Sequence, residues 1–301
     1  MIVVNQEIVV PAAETGKKLQ TFLNSRFPIG YIRKLFRKNG LRVNGRHSKP
    51  EDLVRGGDRI RLYIPFEKTI RRSDTPSQAR PKFSVLYEDT QVLVINKPAG
   101  IAVHEGKRVL KRHSVIGALE STYREQGLSP RLVHRLDKDT SGVLLIAKDE
   151  LTAGELEAIF AAGKGAQKEY LCLVAGRLQD NQGKIDLPLP GREGAPVRAL
   201  TRFTVLHRFS QTTLARVNIE TGRMHQIRLH FAAIGYPIVL DDQHGDFNFN
   251  KQFSKKYGLK RQFLHACRLE INHHGKKHVW SAPIPPDLQR VIDALRTEQA
   301  D

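Results

Sequence analysis

Nine consecutive residues, His134-Arg135-Leu136-Asp137-Lys138-Asp139-Thr140-Ser141-Gly142, carry two carboxylates, an imidazole, a guanidinium and two hydroxyls. That density is unusual for a turn. Asp, Ser and Gly also favour turns for backbone reasons alone, so the segment by itself leaves a structural and a chemical reading open. A second polar stretch, Thr221-Gly222-Arg223-Met224-His225-Gln226-Ile227-Arg228-Leu229-His230, places His225 and Arg228 three residues apart at the start of an amphipathic helix. A cation beside a carboxylate lowers its pKa and holds it ionised, so this stretch supplies a candidate partner for Asp137. A third segment, Lys168-Glu169-Tyr170, begins a strand. Its tyrosine is by default a core residue with a bonded hydroxyl. Beside a nucleotide turned out of its stack, the ring could lie on a base and the hydroxyl handle a proton. His273, His274 and His278 are close in sequence but surround Gly275-Lys276-Lys277. Two lysines repel a cation, so no metal site is expected there.

The elements that must position these groups follow from periodicity. Val92–Ile95 and Val143–Ile146 are short apolar runs that read as buried strands, the first stopped by Pro98 and Gly100. Tyr170–Val174 is another strand, and Ala215, Val217 and Ile219 alternate with polar residues as in a half-exposed one. Helical spacing links Val115, Ile116, Leu119 and Tyr123; Leu156, Ile159 and Phe160; and Ile227, Phe231 and Ile234. Leu288, Val291, Ile292 and Leu295 mark a last helix, with Asp287 as its expected cap. Several strands are adjacent in sequence, which argues for α+β with a mixed sheet. Neither G-x-G-x-x-G nor G-x-x-x-x-G-K-[ST] occurs, so no cofactor is expected.

The chain has 301 residues, enough for two domains, and 40% hydrophobic residues, enough for a sizeable core. Its 49 Lys+Arg against 31 Asp+Glu give a formal net charge of +18. Such an excess points to a polyanionic partner, usually nucleic acid. Two cysteines exclude a disulfide framework or a zinc ribbon. No apolar run reaches membrane-spanning length, and the start lacks a secretory signal pattern, so a cytoplasmic setting is expected. Residues 1–80 hold 17 Lys+Arg and 7 Asp+Glu, a net of +10, and the remainder carries +8. Residues 68–82 are polar, contain two prolines and read as a linker.

Ahead of that linker, Leu19, Phe22 and Leu23 predict one short helix, and Ile32, Leu35 and Phe36 a second. On the second, Arg33/Arg37 and Lys34/Lys38 repel at i,i+4 spacing, a cost that a phosphate backbone would offset. Arg42 and Arg46 follow around a Val43-Asn44-Gly45 turn, and Ile60, Leu62 and Ile64 alternate as a strand after Gly56-Gly57-Asp58. This order resembles the S4 RNA-binding domain over roughly residues 14–66.

The three chemical segments together resemble the RluA-type family of pseudouridine synthases. Residues 134–142 match its His-Arg-Leu-Asp-x-x-Thr-Ser-Gly signature at every fixed position. Asn96-Lys97-Pro98-x-Gly100, Lys168-x-Tyr170, Gly222-Arg223-x-His225-Gln226-Ile227-Arg228-x-His230 and Leu264-His265-Ala266 match its supporting motifs. The S4-plus-catalytic order and Asp241-Asp242-Gln243-His244-Gly245-Asp246 are similar to the large-subunit rRNA, RluC-like enzymes. Met224 replaces the family's usual Thr, and His244 an expected Tyr. The resemblance implies isomerisation of uridine to pseudouridine in RNA by base flipping. It implies Asp137 as the catalytic carboxylate, Tyr170 as the base-stacking aromatic and Arg228 as the partner of Asp137. RNA contact is expected from Arg33, Lys34, Arg37, Lys38, Arg42 and Arg46 in the first domain. In the second it is expected from Lys97, His134, Arg135, Thr140, Arg223 and His225, with Arg135 filling the vacated stack.

The expected architecture is thus an S4-like RNA-binding domain (14–67), a linker (68–82) and a catalytic domain (83–301) with a mixed, largely antiparallel sheet. The expected partner is large-subunit rRNA, with no membrane, nucleotide cofactor or metal, and the chain is read as a monomer. Two other readings are the same reaction on tRNA and a non-catalytic RNA-binding assembly factor.

Overall fold

A computed structural model describes residues 6–27, 32, 35–36, 39–63, 83–105, 111–123, 126–163, 165–191 and 195–300. Arg33, Lys34, Arg37, Lys38 and the whole 68–82 segment lie outside these residues. The chain divides into two compact units, Met1–Ser77 and Gln78–Asp301.

In the first unit, strands β1 (Gln6–Val9), β2 (Leu41–Val43) and β3 (Arg59–Leu62) form an antiparallel sheet in the order β1-β3-β2. Helix α1 (Leu19–Asn24) buries Leu19, Phe22 and Leu23 against Ile32, Leu35, Leu41, Ile60 and Leu62. Asn44 and Gly45 both take positive φ, which closes a two-residue turn between Val43 and Arg46. The Asn44 amide ties that turn to the next one, donating to Asp58 Oδ1 and accepting the Arg59 N–H, each at 2.8 Å. Arg59 and Arg61 both pair with Glu7. Arg42 and Arg46 are exposed and form no ion pair among the described residues.

The second unit is built on one ten-stranded mixed sheet. Its main path runs β4 (Ser84–Glu88), β5 (Val92–Lys97), β7 (Ser141–Ala147), β14 (Leu264–His273), β8 (Ala166–Ala175), β13 (Thr212–Ile219), β12 (Thr201–Arg208) and β9 (Gln182–Ile185). The short β6 (Arg131–Leu132) adds to β7, and β15 (Lys276–Ser281) adds to β14. β10 (Leu189–Pro190) and β11 (Pro196–Val197) form a separate pair. Of the ladders in the large sheet, β7 with β14 is parallel and the others are antiparallel.

The apolar runs of β5, β7 and β8 arise because both faces of the sheet are covered. Leu93, Ile95, Leu144, Ile146, Tyr170 and Cys172 point to one face, where α2 (Val115–Tyr123) and α4 (Gln226–Ala233) pack. Val92, Val94, Val143 and Leu145 point to the other, against α3 (Glu150–Ala161). Leu171 and Leu173 on that side meet α5 (Phe247–Tyr257) and α6 (Pro286–Ala300). Each such fully buried Leu or Ile contributes about 1.5–3 kcal/mol by leaving water. Asp287 is not the cap of the last helix. The helix starts at Pro286, whose fixed φ suits a first helical position, and Asp287 instead holds Arg261 at 2.6 Å. Among the described residues no helix is long and apolar enough to cross a membrane.

Candidate active site

Asp137 lies in the loop between β6 and β7, and that loop is fixed from several sides. Leu136 is its apolar anchor, 4% exposed in the core. The Gly100 N–H donates to Lys138 O at 2.9 Å. The Lys97 ammonium donates to the carbonyls of Pro98, Ile101 and Lys138 at 2.8–3.0 Å. On the far side Gln262 Nε2 donates to Thr140 Oγ1 at 2.7 Å, and Arg261 Nη1 to Asp139 O at 3.3 Å. Gly142, the second residue of β7, takes φ 119°, and a Cβ there would lie 2.1 Å from Ala266 O. A glycine is therefore what lets β7 lie against β14. Beside it Ser141 Oγ meets His265 Nδ1 at 2.9 Å, and His265 Nε2 meets Ala282 O. Burial lowers the His265 pKa, so a neutral ring fits both bonds.

Arg228 reaches the loop from α4. Its Nη1 donates to Asp137 Oδ2 at 3.1 Å. Its Nε and Nη2 form a two-pronged pair with Asp241 at 2.6 and 2.7 Å. Asp241, its side chain wholly buried, also accepts the N–H groups of Gln243 and His244. Burial opposes the charge on Asp241, but the Arg228 and backbone donors outweigh it and lower its pKa. Asp137 keeps 17% of its side chain exposed, so it remains accessible to a substrate. His225 opens α4 in a left-handed conformation, φ 54°, with Nε2 3.9 Å from Asp137 Oδ1 and Nδ1 3.2 Å from His244 Nε2. Burial lowers its pKa, with Arg228 and His244 adding to the effect and Asp137 opposing it.

These groups face a cleft of about 690 Å³. Tyr170, on β8, forms part of its lining; its hydroxyl has no hydrogen-bond partner among the described residues. Burial, with the Asp137 charge, raises the Tyr170 pKa, so the phenol stays protonated. Arg135 and Arg223 are exposed on the cleft lining, with Arg198 beside them. Lys168 lies on the same wall with its ammonium 4.3 Å from the Phe160 ring centroid. Burial lowers its pKa to about 8, and it has no carboxylate partner among the described residues.

Three residues expected to touch RNA are engaged by the protein itself, two of them, His134 and Thr140, on the cleft lining. Lys97 is completely buried, and burial lowers its pKa to about 7, against the pull of Asp139 and Asp137. It is a clamp on loop carbonyls. His134 turns inward and its Nε2 accepts the Leu145 N–H at 2.9 Å, while its Nδ1 is buried without a partner. Thr140 is 2% exposed, its hydroxyl held by Gln262. Two residues without an assigned role in the sequence reading prove central, Asp241 as the anchor of Arg228 and Lys168 as a cation on the cleft wall.

Residues 91–233 match the family described as RNA pseudouridylate synthase. Ribosomal large subunit pseudouridine synthase C of Salmonella typhi is 36% identical over 97% of both chains. The protein of that name from Escherichia coli K12 is 36% identical over 96% of both. The chain belongs to the RNA pseudouridylate synthase family. It is an RNA pseudouridine synthase, an intramolecular isomerase of the RluC-like type. Two human solved structures share the fold. RNA Pseudouridylate Synthase Domain Containing 4 has a TM-score of 0.60 and 23% identity, covering 71% of this chain and 93% of its own. RNA Pseudouridylate Synthase Domain Containing 1 has a TM-score of 0.57 and 24% identity, covering 72% and 96%. The family match in this synthase spans Asp137, Tyr170 and Arg228 but stops before Asp241 and β14. The groups that hold the site thus extend beyond the matched segment.

Proposed function

We propose that this synthase isomerises specific uridines in large-subunit ribosomal RNA, with Asp137 as the essential carboxylate. The observation that carries the substrate class is the 36% identity, over 97% of both chains, with a relative named for the ribosomal large subunit. That span includes the N-terminal unit, which we read as an S4-like RNA grip. The uridine leaves its stack and enters the cleft, where its base lies on the Tyr170 ring. The N1–C1′ bond breaks, the uracil turns, and C5 bonds to C1′. The C5 proton leaves and N1 ends up protonated, so the reaction is balanced without an oxidant or reductant. Asp137 faces the reacting sugar and base while Arg228 fixes its carboxylate. Tyr170, held as the phenol, contributes its ring and an O–H donor. Arg135, exposed next to Asp137, fills the gap left in the RNA. Lys168 neutralises a phosphate of the bound strand, because a desolvated cation without an anion gains most from one.

Pseudouridine mapping of rRNA and tRNA from cells lacking the gene tests the substrate. Specific sites should disappear from large-subunit rRNA and return with the wild-type gene. Loss confined to tRNA would replace the rRNA reading. Loss at no site, with RNA binding intact, would favour an assembly factor.

A further inference from the structure

We propose that Glu155, His273 and His274 form a binding site for a divalent transition metal of the zinc class. The site would staple helix α3 to the β14–β15 hairpin. His273 ends β14, and His274 and Gly275, at φ 50° and 71°, make the two-residue turn into β15. Positive φ at both positions is the geometry a tight hairpin requires, so the two imidazoles are carried on a rigid turn. Glu155 comes from α3, whose N-terminus is capped by Asp149 accepting the Thr152 N–H at 2.8 Å. Its Oε2 lies 2.9 Å from His273 Nε2 and 3.2 Å from His274 Nε2. One ligand atom from each of the three residues lies within 4.8 Å of the others.

A tetrahedral zinc ion with bonds of about 2.0–2.1 Å holds neighbouring donor atoms about 3.3 Å apart. The two carboxylate–imidazole distances are within a few tenths of an ångström of that spacing. Two imidazole nitrogens with one carboxylate oxygen suit zinc, cobalt or nickel, whereas magnesium and calcium prefer oxygen donors. Lys277 does not close the site as its sequence position suggests, because it is held by Glu270 at 2.6 Å. His278 stacks on Trp280, with its ring 6.5 Å from that of His273, which leaves the fourth position to water. Glu155 is 118 residues from His273, so no local spacing pattern announces the set.

The consequence lies at the other end of the same helix. Phe160 and Ala161, in its last turns, form part of the catalytic cleft wall, where Phe160 also meets Lys168 and His134. A metal joining α3 to the hairpin restrains that wall and takes no part in the isomerisation.

The test is titration of the chelator-treated full-length protein with Co²⁺, read by visible d–d absorption. One equivalent should bind, Zn²⁺ should displace it and Mg²⁺ should not. Glu155→Gln and His274→Ala should each abolish the signal while keeping isomerase turnover in metal-free buffer, which also shows that they fold. Asp137→Asn should retain it. Amide exchange in α3 should slow when Zn²⁺ is added to the wild type. Absence of saturable Co²⁺ binding to the wild type would overturn the site. Binding that survives in both variants would do the same. Unchanged exchange in α3 on metal binding would overturn the staple.

Discussion

Arg228 shares one guanidinium chiefly between two carboxylates with different tasks, while the exposed Asp242 lies 3.6 Å from its Nη2. Asp241 takes its planar fork and is itself wholly buried, whereas Asp137 takes one nitrogen and keeps an accessible face. Asp241 is therefore a positioning residue acting through Arg228. Asp241→Asn takes the two-pronged partner from a buried cation and leaves it with Asp137 and the exposed Asp242, which costs up to about 3–5 kcal/mol. We expect destabilisation of roughly that size in urea titrations and a lower kcat, with KM for RNA less affected. The folded-state pKa of Asp241 is lowered, so its stabilisation is present above the unfolded carboxylate pKa and is lost as pH falls through the folded value. The variant should accordingly lose stability less steeply on acidification than the wild type. Lys168 titrates at the opposite end of the scale. In the free enzyme it loses its proton as pH rises through about 8, and a bound phosphate restores it. RNA affinity should fall as pH rises through that range, with proton uptake on binding, and Lys168→Gln should remove the dependence. A wild-type pH profile shared by Lys168→Gln would exclude Lys168 as the group responsible.

At the scale of elements, the loop carrying Asp137 is positioned by backbone contacts more than by its own polar side chains. Gly142 is the tightest of these, since any Cβ meets the Ala266 carbonyl. Gly142→Ala should cost at least about 3 kcal/mol, because neither rigid strand can yield and the φ is unfavourable to alanine. A shift in urea midpoint worth less than about 1 kcal/mol would show that the strands slide freely. The same loop marks the limit of what was legible in the sequence. The nine-residue signature located Asp137, and the helix pattern located Arg228. Lys97, His134 and Thr140 belong to the same motifs yet have polar atoms held by the loop and the sheet, because a motif records residue type and not side-chain direction. Asp241 appeared as part of a polar segment, but its pairing depends on the turn following α4, which has no periodic signal. Helix α5 was legible in Phe249, Phe253 and Tyr257, which recur at i,i+4 spacing and pack ring against ring, a stripe absent from the expectations above. Asp246 as N-cap and Gly258 at φ 72° were its available start and stop marks.

For the molecule as a whole, the net charge of +18 resolves into differently occupied groups. In the first unit Glu7 pairs with both Arg59 and Arg61, whereas Arg42 and Arg46 are exposed without an ion pair among the described residues. Replacing both with Gln should weaken RNA binding across sequences and reduce the salt slope by about 0.7 for each lost single-strand contact. Turnover at saturating RNA should remain. An unchanged slope would make them solvated surface. In the second unit the cleft gathers Arg135, Lys168, Arg198, Arg223 and Arg228 around Asp137, a positive setting in which one carboxylate can meet RNA. The assignment of Asp137 rests on that juxtaposition. Its most direct measurement compares wild type and Asp137→Asn for pseudouridine formation in unmodified large-subunit rRNA, with RNA binding followed in parallel. We expect the variant to bind RNA as the wild type does and to lose turnover by more than about a thousandfold. Turnover within about tenfold of wild type, some 1.4 kcal/mol of barrier, would contradict the assignment of Asp137.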